Sequence, residues 1–208
     1  MIAIIDYGMG NISSIKNMLS KIKVNSIITN NINEILSSNA IILPGVGSFD
    51  TAMKNLGDLD LIPSLKQIII DEGKPVLGIC LGMQLMTKKS EEGQLPGLGY
   101  IDGEVKNFSG IDEKLNMKIP HMGWNSIVKK QDSPLFSGLE IRSRFYFVHS
   151  YHVICNSMEN VLTETTYGYA FHSSFQHKNI VGVQFHPEKS HKFGIRFFMN
   201  FVDYFSCD

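Results

Sequence analysis

Cys80 carries the strongest chemical signature in the chain. It stands in Gly78-Ile79-Cys80-Leu81-Gly82, after a short apolar run and before a helix that starts at Leu81. A strand that turns into a helix at one residue folds the backbone back on itself. Glycines two positions to either side remove the side chains that would collide. Such an elbow lifts the sulfur above the carboxyl ends of the strands and sets it at a helix N-terminus. Both effects favour the thiolate, which is the attacking form. A lone cysteine is more often a small buried hydrophobe; the glycine spacing is what favours a nucleophile here.

A thiol nucleophile needs a base, and the base needs an orienting partner. His186-Pro187-Glu188 supplies both, directly after the apolar run 180–185. If that strand joins the sheet in parallel, His186 lies on the same rim as Cys80, and Glu188 turns back to hold the imidazole. Acyl chemistry also needs donors for an oxyanion. Pro44-Gly45-Val46-Gly47-Ser48 follows another buried strand, where the glycines let a backbone N–H of Val46 or Gly47 point inward; the N–H of Leu81, next to the nucleophile, is the second donor. A phosphate-binding loop would need a following Lys and Ser/Thr, which are missing. The other six histidines (His121, His149, His152, His172, His177 and His191) have no comparable setting and read as surface or packing residues.

The elements that must hold these groups are legible in the first half. Strands are expected at 2–5, 24–28, 40–43 and 76–79. Helices are expected through Ile12, Ile15, Met18, Leu19 and Ile22, near Leu36, over 61–70 with Pro63 in the first turn, and from Leu81. Strands alternating with helices imply a parallel sheet covered on both faces. The second half is β-rich, with runs at 100–108, 124–129, 144–150, 161–166, 170–175 and 180–184. Turn signals at Ser109-Gly110, Ser137-Gly138 and Lys178-Asn179 separate them. A closing helix over 191–205 turns Phe193, Phe197, Phe198, Phe201 and Phe205 to the core. The expected fold is α/β: one three-layer domain over 1–208 with a central, mostly parallel sheet and a β-rich C-terminal half.

The elbow Gly78–Gln84 (GICLGMQ) and the closing Phe185–Glu188 (FHPE) together resemble the class I, or triad, glutamine amidotransferases, and the resemblance spans essentially the whole chain. It implies glutamine hydrolysis to glutamate and ammonia, with Cys80, His186 and Glu188 as the triad and a γ-glutamyl thioester as intermediate. Within the superfamily, DYGMGN at 6–11, PGVGSF at 44–49, PHMGWN at 120–125 and FYFVHSY at 145–151 resemble the branch that passes ammonia to a separate (β/α)8-barrel cyclase subunit in histidine biosynthesis. The resemblance further implies that Gly47, Gln84, Glu92, Ser150 and Tyr151 bind substrate. It places Asn11, Trp124, Tyr146 and Lys189 at the interface of a heterodimer. It also places a peptide flip in the 44–47 loop when the partner is loaded. Ser48, where the family commonly has alanine, leaves the backbone role of that loop undisturbed. The bland alternatives are solvated polar positions for Gln84 and Glu92, core packing for Trp124 and a rim charge for Lys189.

Composition narrows the alternatives. Of 208 residues, 43% are hydrophobic and 19% charged, with a formal net charge of −1, so no strong basic field exists to hold nucleic acid. No apolar run approaches the roughly 20 residues that span a bilayer. Ile2–Ile5 lacks a basic leader, so it is not expected to be a signal peptide, and a cytoplasmic location is expected. Cys80, Cys155 and Cys207 are widely separated and include no Cys-x-x-Cys pair, so neither a disulfide framework nor a metal site is expected. Gly8-Met9-Gly10 continues as Asn-Ile-Ser, not as a dinucleotide loop, and no cofactor is expected. Three rivals remain: the same chemistry supplying a surface-sugar amidination pathway, another cysteine hydrolase such as a γ-glutamyl peptidase, and a catalytically dead regulatory subunit.

Overall fold

A computed structural model describes residues 1–108, 118–140 and 143–206; the turn read at Ser109-Gly110 and Cys207 lie outside the described residues. In chain order the strands are β1 (Ile2–Ile5), β2 (Ser26–Thr29), β3 (Ala40–Leu43), β4 (Val76–Ile79), β5 (Gly103–Asn107), β6 (His121–Ser126), β7 (Val128–Lys129), β8 (Arg144–His149), β9 (Tyr151–Cys155), β10 (Val161–Tyr167), β11 (Tyr169–His177) and β12 (Ile180–Val183). The helices are α1 (Ile12–Lys21), α2 (Ile32–Ser37), α3 (Phe49–Asp58), α4 (Leu61–Lys66), α5 (Leu81–Leu85) and α6 (His191–Ser206). A π-helical turn, Gln67–Asp71, extends α4.

The main sheet runs β2-β1-β3-β4-β12-β11-β10-β7. The first five strands in that order are mutually parallel. From β12 outward the pairing becomes antiparallel. Alternation along the parallel strands decides which layer each side chain joins. Ala3, Ile5, Ile41, Leu43 and Val76 face Phe49, Leu56, Leu61 and Leu65 of α3 and α4. Ile2, Ile4, Ile42, Leu77 and Ile79 face Ile15 and Leu19 of α1 and the phenylalanines Phe197, Phe198 and Phe201 of α6. The sheet is therefore the middle of three layers, and β1, β3, β4 and β12 are buried throughout.

Several boundaries differ from the sequence reading. Helix α3 has no counterpart in it, although Phe49, Ala52, Met53 and Leu56 are all buried at helical spacing. The strand read at 24–28 begins two residues later and ends one later, as β2. The run 124–129 divides into β6, which pairs with β8 in a separate two-stranded sheet, and β7, on the edge of the main sheet. The run 144–150 ends as β8 at His149, and β9 follows after a single residue.

Candidate active site

The strand order puts β3, β4 and β12 side by side, so their carboxyl ends present the 44–48 loop, Cys80 and His186 on one rim. That is where open α/β sheets hold their ligands. The β4–β12 pairing is parallel, with Val183 opposite Ile79. The condition for His186 to reach the rim of Cys80 is thus met.

Cys80 has φ +54° and ψ −109°, a left-handed conformation that a side chain adopts only under constraint. The constraint is close packing around the elbow. A Cβ on Gly82 would fall 1.9 Å from the Leu43 carbonyl oxygen, and one on Gly78 would fall 2.8 Å from the Gly82 carbonyl. In the 44–48 loop the two glycines have different reasons. Gly47 sits at φ +108°, whereas Gly45 makes room: a Cβ there would meet Leu81, Gly82 and the Tyr7 hydroxyl within 3 Å. The conformational freedom expected of both belongs to Gly47 alone. Tyr7 donates its hydroxyl to the Pro44 carbonyl at 2.5 Å, tying the loop to β1.

His186 and Glu188 are buried, with Nδ1 of the imidazole 2.8 Å from Oε1 of the carboxylate. The His186 backbone N–H donates to the Tyr146 carbonyl at 2.8 Å. Ser190 then clamps the turn by accepting from the Tyr146 N–H and donating to the His186 carbonyl. On its other side, His186 Nε2 is buried without a hydrogen-bond partner of normal geometry. Burial pushes the imidazole down, but the negative charge of Cys80, contact with its sulfur and the Glu188 carboxylate outweigh burial and raise His186 to about 10. The Cys80 sulfur lies 3.9 Å from the Val148 carbonyl and 3.6 Å from the amide nitrogen of Gln184.

A cleft of about 310 Å³ opens over the sulfur, the scale of small-ligand sites. Val46, Gly47, Leu81, Gln84, Glu92, Ser150 and Tyr151 all line it, so the oxyanion and substrate residues read from the sequence converge on one space. Glu92 accepts the Phe49 N–H at 3.0 Å, and burial is the main cause that raises its carboxyl. Gln84 is buried, not solvated, and its amide nitrogen donates to the Tyr151 carbonyl and to Gln184. Pro120, Val148 and His149 line the cleft as well and were not foreseen. Nor was Gln184, whose distinguishing partner is Cys80, far along the chain.

His149 belongs to a buried aromatic cluster around Phe108 that also holds His121 and His152. Its Nδ1 faces the Tyr151 carbonyl at 2.8 Å, so Nδ1 carries the proton and Nε2 accepts from His121 Nδ1, 2.9 Å away. Burial lowers all three histidines, His121 and His152 to about 4. An unfolded histidine titrates near 6.5. The stability from keeping these rings neutral is therefore fully present above 6.5 and is lost as pH falls toward 4, because the unfolded chain takes up the protons first. For His121 and His152 the contribution is at most about 3 kcal/mol each. Urea unfolding at pH 7 and pH 4.5 is expected to show a marked drop, smaller in His152→Asn. A flat profile across that window would contradict it.

Trp124, Tyr146 and Lys189 meet on the surface. The indole stacks on His191 at 5.3 Å and meets Tyr146 edge-on, and Lys189 Nζ lies 5.7 Å over the Tyr146 ring. Trp124 is 42% exposed, which rules out core packing for it. Asn11 opens α1 at the carboxyl end of β1. Among the described residues no helix is long and apolar enough to cross a membrane.

The family profile "Glutamine amidotransferase class-I" matches residues 3–203. The chain belongs to that family. It is 52% identical, over 97% of its length and 98% of the other, to a Methanococcus maripaludis protein named imidazole glycerol phosphate synthase subunit HisH 2. It is 42% identical, over 98% of its length and 99% of the other, to the Pseudomonas aeruginosa protein of that name. The fold recurs in a solved glutamine amidotransferase from Thermotoga maritima, with a TM-score of 0.64 at 18% identity, covering 100% of this chain and 85% of that one.

Proposed function

We propose that this class-I amidotransferase is the glutaminase subunit of an imidazole glycerol phosphate synthase, hydrolysing L-glutamine and delivering the ammonia to a cyclase. The observation that carries the reading is the buried His186–Glu188 pair, 2.8 Å apart, on the rim that holds the strained Cys80.

In this reading Cys80, as thiolate, attacks the glutamine side-chain amide carbon. The oxyanion forms against the N–H of Leu81 and a backbone N–H from Val46 or Gly47, where fixed dipoles oppose the developing charge. Collapse breaks the C–N bond. His186 protonates the departing ammonia and leaves a γ-glutamyl thioester. The neutral imidazole then takes a proton from water as it attacks the thioester, glutamate leaves, and Cys80 is restored. Glu188 fixes the tautomer and orientation of His186 throughout. Glu92 suits the α-amino group of glutamine, with Ser150, Tyr151 and the Gln84 oxygen at the rest of the amino-acid end. No cofactor or metal enters these steps.

The partner is a (β/α)8-barrel cyclase subunit, which makes imidazole glycerol phosphate and aminoimidazole carboxamide ribotide in histidine biosynthesis. It docks on the face carrying Asn11, Trp124, Tyr146 and Lys189, giving a heterodimer in the cytoplasm. A second reading keeps the chemistry and changes the barrel to one of a sugar-amidination pathway. It draws on the two numbered proteins, HisH 1 and HisH 2, of Methanococcus maripaludis, 46% and 52% identical to this chain.

Glutamate release by the purified chain, alone and with a histidine-pathway barrel loaded with its phosphoribulosyl-formimino ribotide, tests this. Stimulation of at least about a hundredfold, which is about 2.7 kcal/mol, is expected from the loaded partner. Release that depends on Cys80 but ignores that partner would move the enzyme to the sugar pathway.

A further inference from the structure

The hold on the sulfur points to a residue outside the triad. Gln184 is fully buried just past β12, with its backbone N–H on the Ser173 carbonyl at 2.9 Å. Its amide nitrogen lies 3.6 Å from Cys80 Sγ, and its Oε1 lies 3.1 Å from the Gln84 nitrogen.

The orientation of these two amides is fixed by an acceptor at the end of the line. The Tyr151 carbonyl can only accept, so the Gln84 atom facing it at 3.0 Å is the nitrogen. That same nitrogen faces Gln184, so the Gln184 atom opposite must be the oxygen. The nitrogen of Gln184 is then left to face the sulfur. Reversing either amide would set like against like in a buried place, which is costly.

Besides His186, two neighbours of the sulfur act in opposite senses. The Val148 carbonyl can accept from a thiol S–H and repels a thiolate. An amide N–H donates to either form, and more strongly to the anion. Resting on the reading of Cys80 as nucleophile, we propose that Gln184 is a positioning residue. Its N–H aims the sulfur and favours the thiolate, and its oxygen ties that hold, through Gln84, to the Tyr151 backbone on the substrate wall.

The test reads the sulfur before it reads turnover. In the full chain, the rate at which iodoacetamide alkylates Cys80, followed on the Cys80 peptide by mass spectrometry, gives a midpoint against pH. Gln184→Met keeps the length and removes the donor. Its midpoint is expected to rise by about one pH unit. With partner present, kcat for glutamine is expected to fall about tenfold, with KM within about threefold of the wild type. Should Gln184→Met fail to fold, Gln184→Leu, which also removes the donor and adds no charge beside the sulfur, carries the same test with the same direction expected. A midpoint within about 0.2 unit of the wild type, even with a lower melting temperature, would mean that Gln184 only packs, and would overturn the proposal. The foundation fails separately: glutaminase activity persisting in Cys80→Ala removes the nucleophile reading, whatever the alkylation profile.

Discussion

Cys80→Ala is expected to lower partner-stimulated glutamate release by at least about 10⁴-fold, because no other group can form the thioester. The elbow itself tolerates the change, since the variant keeps a Cβ in the same left-handed backbone. Melting temperature is expected to stay close to that of the wild type. His186→Ala is expected to cost nearly as much as Cys80→Ala, and the double variant no more than either alone, because nucleophile and base act as one unit. Glu188→Gln keeps the shape and offers the imidazole a neutral partner, so a smaller loss is expected. Coupled glutamate assays with the loaded barrel measure all four. Retention of more than about one per cent of turnover in Cys80→Ala would end the thioester mechanism. The proton on His186 adds a pH signature. His186, raised to about 10 by the balance of burial against Cys80 and Glu188, stays protonated through neutrality and loses its proton as pH rises through that value. The thiolate–imidazolium pair of the free enzyme, and with it kcat/KM, is expected to be lost on that side.

Gly82→Ala sets two effects against each other. Within a helix alanine is favoured over glycine by about 1 kcal/mol, so propensity alone predicts stabilisation. The new Cβ, however, falls 1.9 Å from the Leu43 carbonyl oxygen, a backbone atom of a central strand that cannot move alone. Overpacking of that kind costs about 3 kcal/mol and decides the sign. Relief comes from parting α5 from β3, which separates Cys80 and Leu81 from the 44–48 loop. A shift of about 1 Å there is expected to lower turnover about a hundredfold. Thermal unfolding and glutamate release check both halves. Stability equal to or above that of the wild type would show that the elbow is looser than its geometry indicates.

These expectations rest on features of unequal legibility. The elbow and the strands around it were readable because β1, β3 and β4 are buried on both faces and so appear as unbroken apolar runs. Helix α3 was passed over although Phe49, Ala52, Met53 and Leu56 repeat at helical spacing; only four apolar positions stand among polar ones, beside a glycine-rich loop that drew a different explanation. Strand β9, Tyr151–Cys155, has no counterpart in the sequence reading: it follows β8 after Ser150 alone, with no glycine, proline or asparagine to mark where a second strand begins. At the site, Cys80, His186 and Glu188 each have a local signature. Gln184 and His149 do not, since what distinguishes them is a partner far along the chain: Cys80 for one, His121 for the other.

The position of β4 has a consequence for how the chain is made. It is central only because β12 pairs along its second edge, and β12 lies beyond the entire β-rich half of the sequence. A chain growing from its N-terminus therefore carries Val76–Ile79 as an open, wholly apolar edge for on the order of ten seconds of synthesis. An edge of that composition is a template for pairing with other chains. The strand that seats the nucleophile is thus also the hazard of the nascent protein, and one late segment, residues 180–188, closes the edge and brings the base.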